Sequence, residues 1–171
     1  CTKITKCPEL NNCALAIGCY SYMFKDCTSI TCPPKLPAQE LTISCYAGMF
    51  QGCTSLEKCP CLCAPKLHFG CYQAMFANCT SLKESPKLCA DELEPYCYNS
   101  MFINCVNLDK VKCFPHNICP CNSTHHWLYN VAPTGKFYTY KSTKWKIDSP
   151  CGIPWNWKRY NSTCKNLCEN N

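Results

Sequence analysis

One short motif recurs at a fixed interval through the first two thirds of this chain and constrains its fold more than any other feature. Its clearest copy runs from Cys71 to Leu82 and reads CYQAMFANCTSL, and near-copies begin at Cys19, Cys45 and Cys97. Successive copies start 26 residues apart. Self-similarity at this interval predicts a repeat protein in which each repeat forms one coil and stacks on the previous coil.

The spacing inside one repeat predicts a short helix followed by a short strand. Cys71, Met75 and Cys79 are spaced i, i+4, i+8, which is typical of one apolar face of a helix. Leu82 then begins an extended segment that we expect to stop at Pro86, because Pro cannot donate to a strand ladder. The predicted coils cover approximately residues 19–44, 45–70 and 71–96.

A resemblance to a known family follows from the motif and its continuation. The order Cys-Tyr-x-x-Met-Phe-x-x-Cys-Thr-Ser-Leu, followed by Pro and Leu, resembles the Treponema-type (BspA-like) leucine-rich repeats of bacterial and protist surface proteins. Residues 127–138 and 152–157 are similar to the closing segment that such arrays often carry. The chain departs from the family in its additional cysteines and in an insertion at 113–121. The resemblance implies adhesion, surface display or matrix roles without catalytic residues.

The end of the periodicity divides the chain into two predicted domains. Residues 1–113 form a leucine-rich-repeat-like solenoid, and residues 114–171 form a cysteine- and aromatic-rich C-terminal cap. The predicted fold is thus a disulfide-rich α/β repeat solenoid of 26-residue coils with a small β cap. In the cap, residues 136–141 alternate as a strand does, and 144–147 is the predicted hairpin partner. The aromatic residues of this segment either cover the last coil, which we favour, or form a carbohydrate platform.

Cysteine content and glycosylation motifs indicate the compartment. The chain has 22 cysteines in 171 residues, above the roughly 8–10% that marks a disulfide scaffold in short secreted chains. Three Asn-x-Ser/Thr triplets predict N-linked glycans at Asn78, Asn122 and Asn161. We therefore expect a secreted, extracellular or cell-surface glycoprotein. No apolar run reaches the roughly 18 residues of a membrane span.

The repeat register suggests which cysteines pair. Cys71 and Cys79 would lie about 12 Å apart along a helix, which is too far for a disulfide. A bridge from the end of one predicted helix to the start of the next could form in the same way in every coil. Cys63 and Cys89 occupy the same position in adjacent coils, which favours a bridge between them. The alternative is that the repeat cysteines are buried thiols, because Cys is also a good small core residue. The predicted bridges are Cys27–Cys45, Cys53–Cys71, Cys79–Cys97, Cys1–Cys19 and Cys63–Cys89.

Motifs for catalysis, metals and nucleic acids are weak. Cys119 and Cys121 with His125 and His126 are ligand types for zinc, but in a secreted, cysteine-dense chain their sulfurs are expected to be oxidised. No nucleophile motif accompanies the histidines. The net charge of +6 comes from scattered Lys and the single Arg159, unlike the clustered Arg of nucleic-acid sites. We predict no enzyme activity, no metal, no cofactor and no nucleic-acid partner.

These observations predict a structural role with a binding role as the alternative. The chain starts at Cys1 in the middle of a coil, as a processed or trimmed form would. The exposed end of such a coil favours head-to-tail self-association into a fibre or surface layer, although trimming from a longer array also leaves such a start. The alternative is a cell-surface adhesin module that binds a host protein or glycan. Its mark would be an exposed aromatic or charged row at one register position, and the motif positions at 21, 47, 73 and 99 show none.

Overall fold

The first part of each repeat is a run of tight turns rather than a helix. The structure is a computed structural model that describes residues 3–62, 64–118 and 121–164. The amide groups of each turn run alternate between two acceptors. Met49 donates to the Tyr46 carbonyl in the same run at 3.2 Å, whereas Phe50 donates to the Met75 carbonyl of the next repeat at 2.9 Å. Every second backbone hydrogen bond therefore joins adjacent repeats. The turn runs cover 17–26, 43–52, 69–78, 95–104 and 125–130.

Backbone dihedrals confirm that these runs are not helical. Every fourth residue has a positive φ, as at Gly70, Ala74 and Asn78 with 59°, 51° and 61°, whereas an α-helix has negative φ throughout. The described residues contain no α-helix and a single 3₁₀ helix, Cys121–Thr124. The predicted α/β solenoid of short helices and short strands is therefore wrong.

The error has a physical origin in the spacing of the motif. A turn period of four residues and a helical period of 3.6 residues bring the same side chains to one side over so short a stretch. Cys71, Met75 and Cys79 all point inward and are fully buried, as a helix would also bury them. The turns differ from a helix in leaving every second amide free to bond the next repeat.

The second part of the later repeats forms one parallel sheet. Its strands are β1 (Glu84–Leu88), β2 (Lys110–Cys113), β3 (Gly135–Thr139) and β4 (Trp157–Asn161), in the order β1-β2-β3-β4. β1 passes through Pro86 with a shift of register between Glu84 and Lys87, instead of stopping at the proline. β3 pairs in parallel with both neighbours, so the predicted hairpin between 136–141 and 144–147 is wrong. The sheet is continuous across residue 113, the predicted domain boundary.

Columns of equivalent side chains form the core. The tyrosines at 20, 46, 72 and 98 stack in sequence, and Trp127 continues the column, with ring centroids 5.7 to 6.5 Å apart. A second column contains the phenylalanines at 24, 50, 76 and 102. Burying each such ring contributes roughly 1.5–3 kcal/mol. Contact between equivalent residues, repeated along the chain, is what holds the stack together.

Aromatic residues of the C-terminal segment extend this core. Trp127, Phe137, Trp145 and Trp157 are buried, and the Trp127 ring lies 5.0 Å from the Trp145 ring. Trp155 by contrast is 68% exposed. In the described part of the chain, no helix has the length and apolar character needed to cross a bilayer.

Candidate functional site

The repeat cysteines lie in two buried columns as thiols. Six of them are buried and are not bridged in the structure, namely Cys27, Cys45, Cys53, Cys71, Cys79 and Cys97. The alternative of buried thiols therefore applies to the predicted bridges Cys27–Cys45, Cys53–Cys71 and Cys79–Cys97. Cys19 is also a thiol, and its predicted partner Cys1 lies outside the described residues. In one of the two columns, the thiols of Cys53, Cys79 and Cys105 each bond a carbonyl of the preceding repeat instead of another sulfur. The Cys53 thiol, for example, donates to the Phe24 carbonyl at 3.1 Å.

Burial makes the thiols of Cys7, Cys53, Cys71, Cys79 and Cys105 unreactive as nucleophiles at neutral pH. It raises the pKa of Cys7 to about 11 and the pKa of Cys53 and Cys105 to about 12. Burial likewise raises the pKa of Cys71 and Cys79 well above the ordinary value. The thiolate is the reactive form of cysteine, so these groups are core residues and not nucleophiles.

The disulfide seen at Cys89 differs from the predicted one. Cys89 is bonded to Cys164, with a Cα–Cα distance of 6.1 Å and a sequence separation of 75 residues. Cys89 is therefore not paired with Cys63, which itself lies outside the described residues. Cys61 is also disulfide-bonded. The bond from Cys89 to Cys164 ties the segment after β4 back to the loop after β1.

The three glycosylation triplets lie in different surroundings. Asn161 is exposed at the end of β4, together with Ser162 and Thr163. The Asn78 side chain accepts a hydrogen bond of 2.9 Å from Asn104 in the next repeat. Asn122 has a buried Oδ1. Of the three side chains, that of Asn161 is the most open to a glycan.

Candidate catalytic and metal-binding groups remain few. His116 lies 3.0 Å from Asp91, but both side chains are largely exposed. The His125 and His126 rings lie 3.9 Å apart, and Cys119 lies outside the described residues. Within those residues, no group of three or more His, Cys, Asp or Glu side chains is arranged to hold a metal ion.

One end of the repeat stack presents a row of hydrogen-bond acceptors. In the second turn run, the carbonyls at 43, 45, 47, 49 and 51 each accept an amide from the first run. The equivalent carbonyls of the first run, at 17, 19, 21, 23 and 25, accept from no described residue. Exposed apolar side chains accompany them, since Ile17 is 71% exposed and Met23 is 45% exposed.

The opposite end presents unused donors. The last turn run donates from His126 to the Pro150 carbonyl. The amides of Leu128 and Asn130, which continue the series of donors to the next repeat, bond no described acceptor. Tyr129 in the same run is 61% exposed. Residues 150–152 cover the first part of this run, so one end of the stack carries a row of five acceptors and the other end only two donors. Sequence reasoning missed both because backbone groups leave no residue signature.

The outer face of the sheet is the second feature that sequence reasoning missed. Lys110 and Lys136 are 26 residues apart and lie directly opposite each other on β2 and β3. The repeat interval thus continues past residue 113 although the motif has faded. The 26-residue spacing of these two lysines was the sequence signal from which this face could have been predicted.

Comparison with protein-family models, with curated proteins and with solved structures finds no match to this chain. The likeness to leucine-rich repeats of surface proteins therefore rests on the quoted motif alone. A cysteine-dense chain with a disulfide and without a membrane-spanning helix in its described part is compatible with a secreted or extracellular protein.

Proposed function

We propose that this protein is a non-enzymatic, extracellular structural subunit that associates head to tail through the two ends of its repeat stack. The observation that carries the proposal is the row of five carbonyls at the first turn run that accept from no described residue. The first turn run offers carbonyls in the register that a preceding run would fill, and the last run offers amides. A contact between different surfaces of two copies can be repeated by further copies, and it produces a filament when the rotation between copies does not close a ring.

Exposed apolar side chains at both ends support the same contact. Ile17 and Met23 lie at the acceptor end and Tyr129 lies at the donor end. Burying them contributes about 25 cal/mol per Å² of apolar area, in addition to the backbone hydrogen bonds. Inert thiols and the Cys89–Cys164 disulfide suit a durable extracellular subunit, and N-linked glycans at the predicted triplets belong to the same proposal.

The test measures the mass of chain 1–171 as a function of concentration, by sedimentation equilibrium and by electron microscopy of non-reduced material. We expect growing oligomers and filaments with a repeat of one subunit. Ile17→Lys should stop growth because it places a charge at the acceptor end. Ile43→Lys is the matched control, since Ile43 is exposed at the same register position one repeat later but lies on the side of the stack.

Mixing two blocked variants makes the test sharper. Ile17→Lys blocks one end and Tyr129→Lys blocks the other, so each variant alone should stay monomeric and an equimolar mixture should stop at dimers. A monomer at all concentrations up to about 1 mM, which corresponds to a dissociation free energy of only about 4 kcal/mol, would overturn self-association.

A further inference from the structure

The outer face of the sheet carries two rows of side chains that run across the strands. One row contains Glu84, Lys110, Lys136 and Lys158, which are in register on successive strands. The next row contains Lys87, Lys112, Tyr138 and Tyr160. Five lysines therefore share this face with one carboxylate. Adjacent strands lie about 4.8 Å apart, so the cations are closely and regularly spaced.

The single carboxylate of the two rows, that of Glu84, pairs with lysines of β2. Glu84 forms ion pairs with Lys110, at 2.9 Å, and with Lys112. Partial burial opposes the ionisation of Glu84, but the hydrogen bonds from Lys112 and Lys110 outweigh it and lower the pKa of this carboxyl. The Glu84 carboxylate thus pairs with the lysines of β2, and no other described carboxylate forms an ion pair on β3 or β4.

Lys136 and Lys158 are neighbours on the outer face of the sheet. They lie directly opposite each other on β3 and β4, both are exposed, and no described carboxylate forms an ion pair with either. Like charges placed directly opposite across two strands destabilise a sheet. The fold therefore carries a cost here that an anionic ligand would remove.

Two tyrosines lie beside these lysines on the same face. The Tyr138 and Tyr160 rings stack with centroids 5.2 Å apart and an interplanar angle of 20°. Tyr160 is 38% exposed on the edge strand. The pair forms a flat aromatic strip parallel to the lysine row, and an aromatic face of this kind packs against the apolar face of a flat ring.

We propose that the outer face of β2, β3 and β4 binds an anionic polysaccharide, with its sulfate or carboxylate groups on Lys136 and Lys158 and a sugar ring on Tyr160. This site is independent of the end-to-end association. Lys offers a compact point charge on a flexible stem, which suits anions spaced along a polymer. Nucleic acids are disfavoured because Arg forks are absent from the two rows. An anionic membrane is disfavoured because neither row contains an aliphatic side chain to insert.

The experiment measures binding of intact chain 1–171 to immobilised heparin, hyaluronan, dextran and single-stranded DNA, and to vesicles of phosphatidylserine, at about 150 mM salt where exposed charges are screened beyond roughly 8 Å. We expect heparin or hyaluronan to bind, and dextran, DNA and vesicles to bind more weakly. Lys136→Gln with Lys158→Gln should weaken binding about five- to tenfold, from two exposed charge contacts. Tyr160→Ala should weaken it without changing its salt dependence.

Lys35→Gln with Lys66→Gln is the matched control, because both lysines are exposed and lie outside the sheet. This pair removes the same net charge and should leave binding within about twofold of the parent. An equal loss in both double variants would show that net charge alone attracts the polymer and would overturn the site. Absence of binding to both acidic polysaccharides, or stronger binding to DNA or vesicles, would also overturn it. Unchanged circular dichroism and melting temperature exclude misfolding as the cause of a loss.

Discussion

The thiol of Cys79 donates a hydrogen bond of 3.1 Å to the carbonyl oxygen of Phe50, which lies in the preceding repeat. The same contact recurs one repeat later, where the Cys105 thiol donates to the Phe76 carbonyl at 3.0 Å. A protonated sulfur thus both fills the core and links two repeats. Because a thiolate has no proton to donate, the contact makes the stability of the stack depend on pH.

We predict that the protein loses stability above about pH 9. The pKa of Cys53 and Cys105 is raised by burial to about 12, above the unfolded value near 9. Below pH 9 both states hold the proton and the contribution is fully present. Above it the unfolded chain releases its protons first, so the free energy of unfolding falls by up to about 1.4 kcal/mol per pH unit and thiol. Denaturant unfolding between pH 8 and 10.5 measures this slope.

The control for this prediction removes two of the thiols. Cys53→Ala with Cys105→Ala should be less stable than the parent at pH 8 because of the cavities, but its stability should fall less steeply above pH 9. Identical slopes in the parent and the double variant would contradict the assignment of the pH dependence to these sulfurs.

We predict that the disulfide between Cys89 and Cys164 is a major source of stability. It closes a loop with a sequence separation of 75 residues, and cross-links of this kind contribute about 2–5 kcal/mol, chiefly by restricting the unfolded chain. Cys164→Ser should lower the free energy of unfolding by this amount. Cys13→Ser, at an exposed thiol, should change it by less than about 0.5 kcal/mol. Equal stability of the two variants, measured without reductant, would argue against the bond.

We predict that Gly135 cannot be replaced by Ala without damage to the sheet. A Cβ there would lie 2.7 Å from the Asp109 carbonyl oxygen and would also meet the buried Trp157 indole. Neither group can move easily, so Gly135→Ala should cost about 1–3 kcal/mol from overpacking. Thermal unfolding of the purified variant measures the loss.

Gly18→Ala provides the comparison for this substitution. Gly18 has a positive φ of 63° and nothing within 4 Å of an added Cβ, so only backbone strain of about 1 kcal/mol applies. Because several runs already hold non-glycine residues at equivalent positive-φ positions, this cost should be modest. A Gly135→Ala protein as stable as Gly18→Ala would show that β3 and β4 can separate to admit the methyl group.

The sequence was sufficient to predict the repeat interval and most of the core. The Phe of every motif is buried at its expected register, and so is the Met of every motif except the first, where Met23 is 45% exposed. The local backbone could not be predicted, because a run of turns with one positive φ in every four residues gives the same apolar spacing as a helix. The positive φ of Ala74 could not be predicted from its side chain, because hydrogen bonds to the next repeat impose this backbone conformation.

The cysteine pairing and the candidate binding face also could not be predicted from the sequence, for two different reasons. Connectivity among many cysteines cannot be deduced from spacing alone, and the partner of Cys89 lies beyond the periodic region. Lys136 and Lys158 come from strands that are 22 residues apart and not 26. β4 therefore departs from the 26-residue interval but still pairs in register with β3.

We predict that Tyr46→Phe stabilises the protein. The Tyr46 side chain is 1% exposed, and its hydroxyl has no hydrogen-bond partner among the described residues. A buried unsatisfied group costs about 1–3 kcal/mol, whereas the ring keeps its stacking on Tyr20 and Tyr72 when the oxygen is removed. Denaturant unfolding should show a gain of about 1 kcal/mol. Tyr20→Phe, in the same column but only half-buried, should be close to neutral, and a loss of stability in Tyr46→Phe would reveal that an internal water bonds the hydroxyl.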